Sequence, residues 1–176
     1  MSDDGKPRGP TTRRVPPGDN RERMVCADCG FVDYRNPKIV VGVVARWGDR
    51  VLMCRRAIEP RRGLWTIPAG YLELHETAEA GALREAREEA GAEIRLTGLI
   101  GVYNVPRISQ VQLIYRGELV HPDVVAGEES LEVALFGWDE IPRDAVAFPS
   151  VHWALDDWRE DRDLDRFATR TNPPPP

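Results

Sequence analysis

Three glutamates of one predicted helix, Glu85, Glu88 and Glu89, are the residues best suited to chemistry in this sequence. Glu88 and Glu89 follow Glu85 by three and four residues, so the carboxylates share one helix face. Like charges so placed repel each other by about 0.2–0.5 kcal/mol per pair. Clustered oxygen donors are also the ligands that Mg²⁺ and Mn²⁺ prefer. The cluster alone permits two interpretations: a divalent metal site, or a solvated face on which Arg84 pairs with Glu88.

A longer pattern around these glutamates separates the two interpretations. Gly70 is followed after five residues by Glu76, and after seven more by REAREEAGA, residues 84–92. Seven fixed residue types at about 6% each coincide by chance about 3 × 10⁻⁹ times per start position. The pattern resembles the Nudix box, GX5EX7REUXEEXGU, in which U is a bulky aliphatic residue. All seven fixed positions are present, and Ala86 and Ala92 stand at the U positions.

The resemblance implies a metal-dependent hydrolase that cleaves a nucleoside diphosphate linked to another moiety. It implies Mg²⁺ or Mn²⁺ as cofactor, because divalent cations neutralise a diphosphate and activate a bound water. The implied fold is an α/β/α sandwich with a mixed sheet and a loop-helix-loop catalytic motif. The roles it carries over are metal binding by Glu85, Glu88, Glu89 and the Ala69 carbonyl, orientation of a box carboxylate by Arg84 through Glu76, and a tight turn at Gly70.

One more carboxylate from outside the helix is usual in this family, as a metal ligand or as the general base. The segment of residues 127–133 offers three candidates, Glu128, Glu129 and Glu132. Glu132 is the first choice because it lies just inside a predicted strand, and Glu129 is the second. The alternative is that these are exposed loop acids, and the sequence does not decide which group acts as the base.

Hydrophobic patterning predicts the elements that position these residues. A helix is predicted over residues 77–91, with Thr77 as its N-cap and Gly91 as its C-terminal stop. Apolar or alternating runs predict strands over residues 38–46, 50–56, 92–105, 111–120 and 131–138, and apolar spacing predicts a second helix around residues 151–158. This mixed order favours an α/β sandwich over regular βαβ repetition.

Composition divides the chain into four predicted segments. Residues 1–20 are rich in Pro, Gly, Arg and Asp and are predicted to be disordered, as is a Pro-rich tail over residues 166–176. The hydrolase domain is predicted over residues 37–165. Residues 21–36 contain a CxxC motif, Cys26 and Cys29, which resembles the second half of a four-cysteine zinc ribbon. Because residues 1–25 contain no Cys or His, we predict a degenerate half ribbon without zinc.

Further residue patterns narrow the substrate class. The segments NPKIVVG (residues 36–42) and GLWTIPAGYLE (residues 63–73) resemble the Nudix subgroup that includes ADP-ribose, FAD and, more distantly, NADH pyrophosphatases. The array that NADH pyrophosphatases carry after the box is replaced here by NVPRISQ, residues 104–110. ADP-ribose, cleaved to AMP and ribose 5-phosphate, is therefore the first prediction, with FAD or NADH as alternatives. A non-catalytic Nudix-like sensor of ADP-ribose or a nucleotide is the alternative of another class.

Candidate substrate-binding residues follow from side-chain chemistry. Trp65, Tyr71 and Tyr103 have rings that stack on adenine or flavin, whereas Arg55 and Arg107 pair with phosphates. Each has a structural alternative: a core position for Trp65 and a solvated strand end for the arginines. Only the fold can therefore decide which of these residues face a ligand.

Charge and composition limit the possible partners. The net charge is −5, which gives no global attraction for nucleic acid, so we expect a small-molecule nucleotide substrate and no nucleic-acid partner. The longest apolar stretch, residues 39–45, is far short of the ~20 residues of a membrane helix, so no membrane partner is expected. Three cysteines make no disulfide framework, which favours the cytoplasm. The resemblance also implies a possible homodimer.

Overall fold

The structure is a computed structural model that describes residues 9–173. The chain divides into two compact units, Met1–Asn36 and Pro37–Pro176. Among the described residues, no helix is long and apolar enough to cross a membrane.

The first unit contains a three-stranded antiparallel sheet in the order β1-β2-β3, made of β1 (Thr12–Arg14), β2 (Arg23–Val25) and β3 (Val32–Asp33). The Asp19 carboxylate holds the turn between β1 and β2, since it accepts hydrogen bonds from the backbone N–H groups of Asn20 and Arg21 and from the Arg23 side chain. The prediction of disorder over residues 1–20 is therefore wrong for β1. The hydrogen bonds to Asp19 help to offset the conformational entropy that this segment loses on folding, and composition alone does not reveal such bonds. Residues 1–8 lie outside the described residues.

The second unit is built on a mixed sheet whose main path runs β10-β5-β4-β9-β8-β11. Its long strands are β4 (Lys38–Trp47), β5 (Arg50–Arg56), β8 (Ile94–Val105), β9 (Gln110–Leu119) and β10 (Ser130–Gly137). Two short strands flank the path: β6 (Trp65–Thr66) pairs with β5, and β7 (Ala69–Tyr71) pairs with β4. The neighbours β4 and β9 run parallel, with Val41 opposite Leu113, whereas β8 and β9 run antiparallel.

Two helices cover opposite faces of this sheet: α1 (Ala78–Ala90) and α2 (Pro149–Asp161). Successive strand residues point to opposite faces, and β4 follows this rule. Val41 and Val43 pack in a cluster with Ala82 and Ala86 of α1, whereas Val44 packs in a second cluster with residues of α2 such as Leu155. The predicted α/β fold with a mixed sheet between helices is confirmed.

The end of the described chain is also ordered. The short strand β11 (Arg170–Thr171) pairs in parallel with β8, and the Arg170 guanidinium forms two hydrogen bonds with the Asp161 carboxylate at the end of α2. The predicted disorder over residues 166–176 is therefore wrong for β11. Residues 174–176 lie outside the described residues.

Candidate active site

A cleft of about 1010 Å³ lies where α1, β7, the β8–β9 connection and the start of α2 meet. Acidic side chains occupy one part of its wall: Glu73, Glu85, Glu88, Glu89, Glu128 and Glu129. Apolar and amide side chains line another part, among them Val105, Ile108, Gln110, Gln112 and Trp153. The cleft thus has an anionic region suited to cations and a less polar region suited to an organic group.

Helix α1 sets the positions of three of these acids. Thr77 caps its N-terminus through a hydrogen bond from the Ala80 N–H, and Gly91 ends it in a left-handed conformation with φ 59°. The alanine face of α1 packs on the sheet, which leaves Glu85 and Glu89 buried at its edge and Glu88 exposed. A short cap and a glycine stop therefore fix the register of the acidic face.

The Arg84 guanidinium holds several carboxylates at once. It donates to both carboxylate oxygens of Glu76, at 3.1 and 2.8 Å, and to Glu85 at 2.8 Å and Glu88 at 2.9 Å. It also donates to the Tyr71 carbonyl at 3.0 Å. The hydrogen bond from Arg84 keeps the pKa of Glu76 below its usual value, while burial raises the pKa of Glu85 despite its contact with Arg84. Arg84 thus ties the loop before α1 to the acidic face.

Glu89 is the most deeply placed carboxylate of the cleft, with 5% of its surface exposed. Its Oε2 accepts a hydrogen bond of 3.2 Å from the Ala69 backbone N–H. Loss of solvent raises the pKa of Glu89 to about 8, and the charge of Glu85 adds to this effect. A carboxylate with so little solvent and so few donors is a strong ligand for a cation, because the cation offsets its desolvation.

Gly70 is required by a close approach and not by a positive φ. A Cβ at this position would lie 2.3–2.4 Å from three atoms of the Glu85 carboxyl group. A side chain at residue 70 would therefore displace the Glu85 carboxyl group from its place beside β7. The structure thus gives a close approach as the reason for glycine at residue 70, and the roles of Gly70 in a tight turn and of the Ala69 carbonyl as a metal ligand stay predictions.

Gly127 places the loop before β10 against the end of α1. Its N–H donates to the Glu89 carbonyl at 3.0 Å, and a Cβ at this position would lie 1.7 Å from the Glu88 carbonyl oxygen. The loop carries Glu128 and Glu129 into the cleft lining.

Replacing Gly127 by alanine is expected to push this loop away from α1. Because the contact is with backbone and not with a flexible side chain, we expect a destabilisation of about 1–3 kcal/mol. A matched Asp123→Ala variant, at an exposed position of the same loop, reports the general sensitivity of the loop. Thermal melts of the three proteins measure the effect, and equal Tm values for Gly127→Ala and wild type would contradict the close packing of this loop.

Of the three candidate carboxylates outside the helix, Glu128 and Glu129 line the cleft and Glu132 does not, so Glu132 is wrong as the first choice. The charge of Glu129 contributes to the raised pKa of both Glu85 and Glu89. Glu132 lies on β10 opposite Arg55 on β5, and Arg55 Nη1 stands 3.5 Å from Glu132 Oε2. A register shift between Ser130 and Glu132 sets the alternation of β10, which places Glu132 on the same face as Ala134, away from α1. Side chains also alternate along β5, so Arg55 points away from the cleft and its neighbour Arg56 lines the cleft.

Two of the predicted stacking residues are core residues. Tyr103 is fully buried and donates a hydrogen bond of 2.6 Å to Asp157, and Trp65 packs edge-on against Phe136 at a centroid distance of 4.9 Å. Neither ring is available to a ligand, so these two predictions are wrong. Tyr71 is 48% exposed and lines the cleft, as does Arg107.

Sequence reasoning missed several polar residues of the lining, among them Gln110 and Gln112. Gln110 and Gln112 stand at alternate positions of β9, before the apolar Ile114. Two amides at one-face spacing, next to apolar residues of the same strand, were the available signal.

Comparison with known proteins assigns the chain to a family. The family model described as NUDIX domain matches residues 36–155. The chain belongs to the NUDIX family. A second model, the Nudix N-terminal zinc ribbon, matches residues 5–35, so the resemblance to Nudix hydrolases with an N-terminal ribbon is confirmed.

Individual relatives agree with this assignment. A crystal structure of a NUDIX hydrolase from Nitrosomonas europaea is 42% identical, covers 92% of this chain and 93% of its own, and superposes with a TM-score of 0.85. An ADP-ribose pyrophosphatase from Methanocaldococcus jannaschii is 25% identical over 62% of this chain and 68% of its own length. The NAD-capped RNA hydrolase NudC of Pseudomonas aeruginosa is 32% identical over 73% of this chain, a region that spans 46% of NudC. These relatives of the chain are named as hydrolases or as a pyrophosphatase, and the chain is a Nudix-type enzyme.

Proposed function

We propose that this Nudix enzyme hydrolyses the pyrophosphate bond of ADP-ribose to give AMP and ribose 5-phosphate in a metal-dependent reaction. The observation that carries the proposal is the cleft, which combines buried and exposed carboxylates with an apolar, amide-lined region. A small dinucleotide-type substrate fits this division, with its diphosphate beside the acids. The relative named ADP-ribose pyrophosphatase supports the choice of ADP-ribose.

The donor chemistry fits Mg²⁺ or Mn²⁺, and because no three such side chains in residues 9–173 are already gathered around one point, the carboxylates would have to close around the ion. Glu85, Glu88 and Glu89 offer hard carboxylate oxygens in one cleft, and the Arg84 cation already lies between Glu85 and Glu88 as a stand-in positive charge. We assign these glutamates as the metal ligands, with Glu129 as the additional carboxylate. When bound, the metal neutralises the diphosphate and lowers the pKa of a bound water.

The chain's own residues perform the remaining tasks. Arg84 holds Glu76 and the loop before α1, so it positions the acidic face. Arg56 and Arg107 line the cleft and are placed to pair with phosphate oxygens. Tyr71, under the Lys38 ammonium at 4.9 Å, closes one side of the same cleft.

The deciding experiment is phosphate release coupled to a phosphatase. ADP-ribose, FAD, NADH and a nucleoside triphosphate are tested in parallel with Mg²⁺, with Mn²⁺ and with EDTA. We expect turnover of ADP-ribose that requires a divalent cation and stops with EDTA. Preference for FAD or NADH would replace the substrate assignment, and silence across the panel with tight calorimetric binding of ADP-ribose would indicate a sensor.

The half ribbon gives a separate prediction. Cys26 is buried and Cys29 exposed, and backbone N–H groups of Cys29 and Asp28 lower the pKa of the Cys26 thiol. With no Cys or His in residues 1–25, we propose that this unit folds without zinc. The double variant Cys26→Ser, Cys29→Ser is expected to keep kcat within about twofold of wild type. Metal analysis showing one zinc per chain in the wild type, together with loss of folding in the variant, would contradict this.

A further inference from the structure

A row of side chains crosses the less polar part of the cleft and has no role in the proposed chemistry. Val40 on β4 stands opposite Gln112 on β9 and opposite Tyr71 on β7, so the three residues lie side by side on adjacent strands. Gln110 stands two residues before Gln112 on the same face of β9. All four line the cleft.

The polar members of this row are hydrogen bonded in series. Gln110 Nε2 donates to the Tyr71 hydroxyl at 3.1 Å, and Gln112 Nε2 donates to Gln110 Oε1 at 3.3 Å. A carboxamide has two N–H donors and an oxygen that accepts two bonds, so Gln112 keeps a donor and an acceptor beyond this contact. The series fixes the orientation of the amides, and a fixed amide presents an adjacent donor and acceptor to a ligand.

The surroundings of the amides suit a flat heterocycle better than a sugar. Val105 and Ile108 line one side of this region, and Trp153 of α2 lines the cleft as well. A ribose carries hydroxyls around its ring, and hydroxyls placed against Val105 or Ile108 would lose hydrogen bonds to water. A nucleobase has two apolar faces and a polar edge, so it satisfies the apolar walls and the amides together.

The distance from the acidic region also fits. Gly70, which touches Glu85, is opposite Val41 on β4, and Val41 is opposite Leu113 on β9. Two strand spacings, about 10 Å, therefore separate these two stretches of backbone, which is the scale of a nucleoside. The carboxylates and the amides lie toward opposite faces of the sheet, since Val41 packs with α1 and its neighbour Val40 points to the other face, and the same cleft is lined by both groups.

We propose that Gln110 and Gln112, oriented by Tyr71, form the subsite that recognises the nucleobase of the substrate by its hydrogen-bonding edge. The inference rests on the proposed function, because it assumes a nucleotide substrate with its diphosphate at the carboxylates. In this proposal, residues of β9 determine which nucleobase binds, and the glutamates of α1 serve hydrolysis.

Calorimetric titrations of AMP and of ribose 5-phosphate, in the presence of Mg²⁺, test the subsite without relying on turnover. Gln112→Leu removes the amide at similar size, and Tyr71→Phe removes only the hydroxyl that orients Gln110. We expect Gln112→Leu to weaken AMP binding by about 10–100-fold and to leave ribose 5-phosphate binding within about twofold. Tyr71→Phe is expected to give a smaller loss in the same direction. Asn104→Leu, an exposed amide on β8, is the matched control and is expected to change neither ligand.

Each other outcome overturns the inference. An equal loss for both ligands in Gln112→Leu would mean that the amides hold the sugar or only the fold. Unchanged AMP binding in both Gln112→Leu and Tyr71→Phe, or wild-type AMP binding no tighter than that of ribose 5-phosphate, would remove the nucleobase from this region. Failure of the proposed function is distinguishable, because it appears as absent ADP-ribose turnover in the wild type while the AMP pattern persists.

Discussion

Replacing Glu89 by glutamine is expected to lower kcat by about 10³-fold, equivalent to about 4 kcal/mol of transition-state stabilisation. Glu89 is the most buried acid of the cleft, and glutamine removes its charge while keeping an oxygen that accepts from the Ala69 N–H. Phosphate release from the substrate with saturating Mg²⁺ measures the effect. Glu93→Gln, an exposed acid just after α1, is the matched control and should retain wild-type kcat. Equal activity of Glu89→Gln and wild type would refute the ligand assignment.

The same substitution is expected to stabilise the metal-free protein. Burial raises the pKa of Glu89 to about 8, so ionised Glu89 lowers the free energy of unfolding once the pH exceeds the value near 4.5 of the unfolded chain. The penalty is absent below that pH and grows until the pH reaches about 8. A gain of about 1 kcal/mol in Glu89→Gln raises Tm by about 2–4 °C. Melts of wild type and Glu89→Gln in EDTA at pH 4 and pH 8 check the sign, and a Tm of Glu89→Gln below that of wild type at pH 8 would contradict it.

Replacing Gly70 by alanine is expected to reduce kcat by about 10²-fold with little change in Tm. The new Cβ would meet the end of the Glu85 side chain, which can rotate away, so the fold survives while the carboxylate leaves its place. Phosphate release and thermal melts measure the two effects. Loss of Tm in proportion to activity would show that the substitution acts on the fold instead.

A double-mutant cycle sharpens this test. If Gly70→Ala acts by displacing Glu85, then adding Glu85→Gln to it should cost little beyond the larger single effect. Additive losses would mean that residue 70 acts through another group. The contact to all three carboxyl atoms of Glu85 favours strong coupling.

Local sequence signals predicted most helices and long strands of the second unit. The helix predicted over residues 77–91 is observed as Ala78–Ala90, because Thr77 and Gly91 are strong local signals that act within one turn. The strand predicted over residues 111–120 is observed as Gln110–Leu119 for a similar reason, its β-branched and apolar run. The acidic face of α1 followed from helical spacing alone.

The positions of the remaining site residues are set by strand register and tertiary packing, which local sequence signals do not predict. The choice between Glu129 and Glu132 is set by the register shift in β10, and a single shifted residue exchanges the two faces of a strand. Tyr103 and Trp65 are aromatic residues that would suit either a core or a ligand, and only the packing of α2 and Phe136 decides between these. The strand β1 was missed because its pairing with β2 depends on a connection that the Asp19 side chain holds.

The end of the sheet at β8 has a consequence for how copies of this protein meet. Beyond β11, the Asn172 side chain accepts from the Asn104 N–H at 2.7 Å and donates to the Asn104 carbonyl at 2.8 Å, as a neighbouring strand residue would. The peptide groups of β8 that a foreign strand would use are thus partly taken by the chain itself. Since β11 has only two residues, it offers little template for strand addition. Addition of a strand from another copy is therefore hindered at the end of β8 that β11 and Asn172 cover, which disfavours fibre-like growth from that end.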